Sequence, residues 1–213
     1  MQEFVFMRGI VIKAEAFQEY DRRVVLLTRE AGKITAFARG ARRSSSKLLA
    51  ATDQFCFGVF KLLPGKNAYT LVDVEVKCYF DELRTDFDAI CYGTFFLEYA
   101  DYYSAENIES EELLNLLYVS LKAISNSKFP KNLVRDVFEI RAMKINGEFP
   151  GCPDGCLKDT GFTVDYITNS AIEKLYTFLV SEEVLKELNQ MVEHYRNRYV
   201  GHHFKSLDIL KTL

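Results

Sequence analysis

DRRVVLLTREAGKITAFARGARRSSSK, residues 21–47, is the stretch from which the first third of this chain is read. Residues 23–28 and 33–39 are β-prone runs, and Arg29-Glu30-Ala31-Gly32 between them has the length of a short hairpin connection. Gly32 supplies the positive φ that such a connection often demands. Upstream, Ile10, Ile12, Ala14 and Ala16 alternate with Val11, Lys13, Glu15 and Phe17, the period of a half-buried strand. Downstream, the polar Ser44-Ser45-Ser46 segment starts a helical turn. Two further runs follow, residues 55–63 and Tyr69–Cys78, joined by the turn signal Pro64-Gly65-Lys66-Asn67. Five short strands within about 80 residues, with a meander at each end, predict a small closed barrel. The five-stranded OB-fold is the commonest such barrel that grips oligonucleotides, and a small SH3-like barrel satisfies the same pattern.

Charge singles out the same region. Residues 1–80 hold 13 Lys+Arg against 8 Asp+Glu, net +5, whereas the remaining residues hold 14 against 22, net −8. Cationic charge concentrated on an otherwise acidic chain points to a polyanion at one site, and nucleic acid is the first candidate. At 213 residues and 48% hydrophobic, the chain has the composition of a globular protein. No apolar run approaches the roughly 18 residues of a membrane span, and MQEFVFMRG has neither the cationic start nor the apolar segment of a signal peptide, which predicts a cytosolic protein. Five cysteines, with Cys56, Cys78 and Cys91 in apolar surroundings, do not form a disulfide framework.

After Asp81 the periodicity becomes helical. Cys91, Phe95, Tyr99 and Tyr102 share a stripe widened by Phe96 and Tyr103, and an acidic segment separates them from Leu113, Leu114, Leu117, Leu121 and Ile124. Pro130 is placed to open a helix carrying Leu133, Val137 and Ile140, which Asn146-Gly147 ends. The last long helix aligns Val184, Leu188, Met191, Val192, Tyr195 and Tyr199 behind Ser181, Glu182 and Glu183. The predicted architecture is therefore α+β: a five-stranded barrel over residues 1–80, followed by an all-helical domain over residues 81–213. Glu98 and Asp101, at i, i+3, are expected on a solvated face.

No GxSxG elbow, Walker loop or HExxH is present, and the three histidines all fall between residues 194 and 203, so an enzyme, a nuclease included, is not expected. Cys152 and Cys156 stand in a C-x3-C spacing with no second pair following, whereas a structural zinc site takes four ligands. They are expected to be reduced and metal-free in a tight turn; His194, His202 and His203 have no spacing that would recruit them.

The ordered residues Gly9-Ile10-Val11-Ile12, Glu19-x-Asp21-Arg22, Leu26-Leu27-Thr28, Gly32-Lys33, Ala38-Arg39-Gly40-Ala41-Arg42-Arg43-Ser44-x-Ser46-Lys47-Leu48 and Phe55 resemble the N-terminal signature of RecO, the bacterial recombination mediator. The resemblance returns in the tail, from His194-Tyr195 to Ser206-Leu207-Asp208-Ile209-Leu210. It implies an OB-fold, then a helical domain whose irregular insertion, about residues 147–168, is a degenerate zinc-finger-like remnant. It also implies a cytoplasmic, nucleoid-associated bacterial protein that needs no cofactor and acts without catalysis in RecF-type repair. Such a protein would bind single- and double-stranded DNA, anneal complementary strands, cooperate with RecR, and engage the single-strand-binding protein so that RecA loads.

The residues agree on one point. Lys33, Phe37 and Arg39 lie two and four positions apart on one strand, with Arg42, Arg43 and Lys47 in the loop beyond, so cations and an aromatic ring line one groove. Arg and Lys neutralise phosphates, while a ring stacks a base without reading its identity. Phe37 faces either this groove or the barrel core. Arg22 and Arg23 face opposite ways on a strand, and only one, taken as Arg23, joins the groove. In the helical part, Lys131, Arg135 and Arg141 border apolar grooves suited to an acidic peptide, by resemblance the C-terminal tail of the single-strand-binding protein. The competing reading is an adaptor whose barrel docks an acidic protein instead of DNA.

Overall fold

β1 (Val5–Phe17), β2 (Asp21–Thr28), β3 (Gly32–Ala38), β4 (Phe57–Leu63) and β5 (Tyr69–Cys78) close a barrel in the order β1-β2-β3-β5-β4, with β4 returning to pair with β1. The structure is a computed structural model that describes residues 3–212. Every neighbouring pair is antiparallel except β3 with β5, which run parallel over Ala36–Ala38 and Tyr69–Leu71. A short helix, α1 (Leu48–Ala51), bridges β3 and β4. This is the OB-fold rather than an SH3-like barrel.

The alternation of side chains decides what fills it. Val24 and Leu26 of β2, with Ile34, Ala36 and Ala38 of β3, point inward onto Met7, Val11, Phe60, Leu62 and Leu71. Val25 and Leu27 point the other way yet are also buried, which accounts for the unbroken apolar run Val24-Val25-Leu26-Leu27. At the hairpin, Gly32 has φ +60, and a Cβ there would lie 2.3 Å from the carbonyl oxygens of both Ala105 and Ile108. The glycine is thus required by a close backbone approach as well as by the turn. Lys33 N donates to Ala105 O, Asn107 N to Ala31 O and Ser110 N to Arg29 O, so residues 105–110 run along this hairpin.

One compact unit accordingly comprises the residues up to Asp81 together with Ala100–Leu114. Asp101 belongs to it and is not solvated: its carboxylate meets Lys13 Nζ at 2.7 Å and Lys33 Nζ at 3.1 Å. Burial opposes its charge, but these two lysines outweigh burial and hold the carboxyl below its ordinary range.

The second unit comprises Glu82–Tyr99 and residues 115–212. The helices are α2 (Phe87–Tyr103), α3 (Glu111–Ile124), α4 (Lys131–Ile145), α5 (Lys158–Asn169), α6 (Glu182–Tyr195) and α7 (Lys205–Leu210), so the unit limits run through α2 and α3. Pro130 stands at the N-cap of α4 rather than inside its first turn, and the Ser181 hydroxyl caps α6 by accepting from Val184 N. Phe95, Tyr99, Phe138 and Phe204 form a buried aromatic cluster with ring centroids 4.8–5.6 Å apart. Glu98, expected on a solvated face, instead accepts from Lys205 N and Ser206 N at the start of α7. A carboxylate there satisfies orphan helix donors.

The region expected to be irregular over residues 147–168 is irregular only as far as Leu157, after which α5 begins. Cys152 and Cys156 are free thiols with Sγ atoms 2.7 Å apart, and among the described residues no third His, Cys, Asp or Glu joins them.

Candidate nucleic-acid interface

The loop of residues 39–47 is built by the two residues that open β2. Asp21 Oδ1 accepts from Gly40 N at 2.8 Å, where Gly40 has φ +63, and Arg42 N donates to Tyr20 O. Arg22 reaches across the barrel end to Leu49 O, Thr52 Oγ1 and Asp53 Oδ1. Its side chain is only 17% exposed, so it anchors α1 and is not presented to a ligand.

Arg23 takes the outer face. It pairs with Phe37 across β2 and β3 and with Glu15 across β1 and β2, and its guanidinium meets Glu15 Oε2 at 2.9 Å. Phe37 is absent from the barrel core and packs on Phe17, with ring centroids 4.7 Å apart. Arg39, Arg42, Arg43 and Lys47 are exposed. Arg39 has no ion pair among the described residues. Arg43 lies 5.1 Å from the Tyr20 ring centroid, Arg42 donates to the carbonyl oxygens of Gln18 and Glu19, and Lys47 meets Asp73 at 3.0 Å. Phe17, Tyr20 and Phe37 therefore sit among Arg23, Arg39, Arg42 and Arg43. Phe17 and Tyr20 were not singled out from sequence; the signal was the turn between β1 and β2, whose closeness to the loop appears only once the strands are in register.

Lys33 is placed differently. Its ammonium is held by Asp101, and it lines a cleft of about 390 Å³ with Thr35, Lys66, Asn67, Tyr69 and Asn107, where β3 and the connection between β4 and β5 part. In OB-folds the face of strands 2 and 3, with the loops after strands 1 and 4, is the ligand-binding face. Both the ring group and this cleft lie on it.

In the helical unit the three proposed peptide-binding cations do not converge. Lys131 pairs with Asp86 at 2.8 Å, and Arg141 donates to Ile167 O and Thr168 O. Arg135 is bound to Asp136 and Asn189, and it alone of the three lines a pocket of about 300 Å³. Lys186, Glu193, Arg196, Lys211, Leu207 and Leu210 contribute to the same pocket. Arg196 Nη1 donates to both carboxylate oxygens of the fully buried Glu139, at 2.8 and 2.7 Å.

Comparison with known proteins decides the family. The family described as Recombination protein O N terminal matches residues 1–80, and Recombination protein O C terminal matches residues 84–152. A DNA repair protein RecO of Acetivibrio thermocellus is 30% identical over 96% of this chain and 95% of its own length. The chain belongs to the RecO family. RecO proteins of Clostridium novyi and Clostridium perfringens are each 26% identical, the first over 97% of this chain and 93% of its own length, the second over 96% of both. The RecO signature thus has a structural content: Asp21, Arg22 and Gly32 build the barrel end and the hairpin, while the arginines after Ala38 are left facing outward. Among the described residues, no helix is long and apolar enough to cross a membrane.

Proposed function

We propose that this chain is a non-enzymatic DNA-binding recombination mediator in RecF-type repair. It binds and anneals single-stranded DNA, works with RecR, and helps load RecA onto strands coated by the single-strand-binding protein. The supporting observation is the group of Arg23, Arg39, Arg42 and Arg43 around the rings of Phe17, Tyr20 and Phe37 on the OB-fold's ligand face. Arginines there displace counterions from phosphates, and rings stack bases for about 1–3 kcal/mol each with little regard to sequence. That combination grips a strand without reading it, which suits a protein acting on any exposed single strand. Lys47, held by Asp73, and Lys33, held by Asp101, extend the positive field from partnered positions. The acidic, apolar tail of the single-strand-binding protein is assigned to the pocket of Arg135, Lys186, Arg196, Lys211, Leu207 and Leu210 rather than to Lys131 and Arg141, because four cations outnumber its single carboxylate, Glu193, beside two leucines.

A salt series with labelled single-stranded DNA tests the reading. Log K should fall linearly with log salt, and replacing Arg39, Arg42 and Arg43 together by Ala should flatten the slope by about 0.7 for each phosphate no longer neutralised. An unchanged slope in a folded triple variant would refute the interface and favour a barrel that docks an acidic protein.

A further inference from the structure

The other end of β1 carries a second group of rings and cations. Phe4 and Phe6 are 46% and 62% exposed on the outer face of the barrel, opposite in parity to the buried Met7. Lys61 faces Phe6 across β1 and β4, and its Nζ lies 4.3 Å from the Phe4 ring centroid and 5.9 Å from that of Phe6. Arg8 is the next outward residue of β1 and faces Val59. The outward carboxylates of β5, Asp73 and Glu75, are paired by Lys47 and Lys77, and the Glu30 carboxylate accepts from Arg8 N. Asp73 also stands opposite Lys61 across β4 and β5, so Arg8, Lys61 and Lys77 share this surface with three carboxylates, Lys47 reaches Asp73 from the 39–47 loop, and the Lys61 ammonium lies beside the exposed rings. Phe17 stands eleven positions beyond Phe6, roughly 35 Å of strand, so this group and the one around Tyr20 occupy opposite ends of β1.

Two rings about 7 Å apart along a strand, interleaved with charges on both neighbouring strands, do not make the continuous apolar centre of a protein interface, which buries about 800 Å² per partner. They suit a ligand that alternates flat apolar faces with negative charge. We propose that Phe4, Phe6, Arg8 and Lys61 form a second platform for single-stranded nucleic acid, at the far end of β1 from the rings of Phe17 and Tyr20. Phe4 and Phe6 stack bases while Lys61 and Arg8 meet the flanking phosphates. One barrel then holds two strand segments at once. This rests on the reading that the chain binds single-stranded DNA.

Short oligothymidines carrying 5-iododeoxyuridine, cross-linked by light to the full chain and mapped by mass spectrometry, test the proposal. Cross-links are expected at Phe4 or Phe6 as well as at Phe17 or Tyr20, with two oligonucleotides bound per chain. Phe4→Ala with Phe6→Ala should reduce this to one without lowering the melting temperature, since both rings are exposed. The Arg39, Arg42 and Arg43 triple alanine variant should keep the Phe4 and Phe6 cross-links. Cross-links confined to Phe17 and Tyr20 would overturn the second platform and leave DNA binding intact, whereas no cross-link anywhere would overturn both. If the double alanine variant instead turned a dimer into a monomer with DNA stoichiometry unchanged, a second copy of this chain would be the occupant and the proposal would fall.

Discussion

Arg22 and Arg23 show how far two adjacent, chemically identical residues diverge once a strand assigns them opposite faces. The guanidinium of Arg22 satisfies a backbone carbonyl, a threonine hydroxyl and a carboxylate at the barrel end. Removing it takes three charge-assisted hydrogen bonds from a half-buried setting, so Arg22→Ala should cost about 1–3 kcal/mol of stability. Arg23 is exposed and holds only Glu15, an exposed pair worth little, so Arg23→Ala should stay within about 0.5 kcal/mol of the native chain while weakening oligonucleotide binding. Urea unfolding and binding titrations on the two variants check the division. Reduced affinity with unchanged stability in the Arg22 variant would reverse the assignment.

At the scale of elements, two glycines flank β3 and answer to different constraints. Both have positive φ, but a Cβ on Gly32 would strike two carbonyl oxygens at 2.3 Å, whereas the nearest atom to a Cβ on Gly40 is Arg43 Cδ at 3.7 Å. Gly40→Ala therefore carries backbone strain alone, about 1–2 kcal/mol. Gly32→Ala must also displace residues 105–108 from the hairpin and should cost several kcal/mol, near the severe end for point substitutions. Denaturant midpoints of the two variants should differ in that order, and equal midpoints would show that residues 105–108 yield freely. The hairpin itself was legible from the glycine and its flanking β-prone runs. Its apposition to residues 105–110 was not, because backbone hydrogen bonds between segments some 75 residues apart leave no local pattern. The same holds for the insertion, where the C-x3-C spacing was plain but the helix after Leu157 was not.

At the scale of the whole molecule, buried charge makes stability depend on pH. In the helical unit, burial raises the Asp136 carboxyl to about 7 despite Arg135 beside it, and Glu139 is also raised by burial despite Arg196 and Arg135. An unfolded carboxyl titrates near 4, so between roughly pH 4 and 7 the folded chain keeps a proton that the unfolded chain releases. Stability should therefore fall as pH rises through that window, and the penalty is fully present above it. Asp86, lowered by its hydrogen bond from Lys131, and Glu98, whose hydrogen bonds outweigh its burial, act in the opposite sense. Their stabilisation is lost only as pH falls below about 4. Hydrogen-exchange protection of α4 amides should accordingly increase from roughly pH 8 to 5 once intrinsic exchange rates are corrected for, and Asp136→Asn should flatten the rise. A native profile already flat would show that the pair stays ionised throughout.

The sequence by itself determined the order of the strands, the closed barrel, the basic loop and the helices other than α5, because period-two and period-3.6 apolar patterns, turn glycines and charge runs are local and follow directly from backbone geometry. It also carried the family, since the residues of the signature stand in one uninterrupted stretch. Tertiary structure alone decided that Arg23 rather than Arg22 faces outward, that Phe37 leaves the core to meet Phe17, and that Phe4 and Phe6 gather around Lys61. It decided too that Asp101 holds both Lys13 and Lys33, and that Arg135 shares a pocket with Arg196 and Lys211 and not with Lys131 or Arg141. Each of these depends on register between distant strands or on which helix faces meet, and a side chain's partners across such gaps are set by packing, not by its neighbours in the chain.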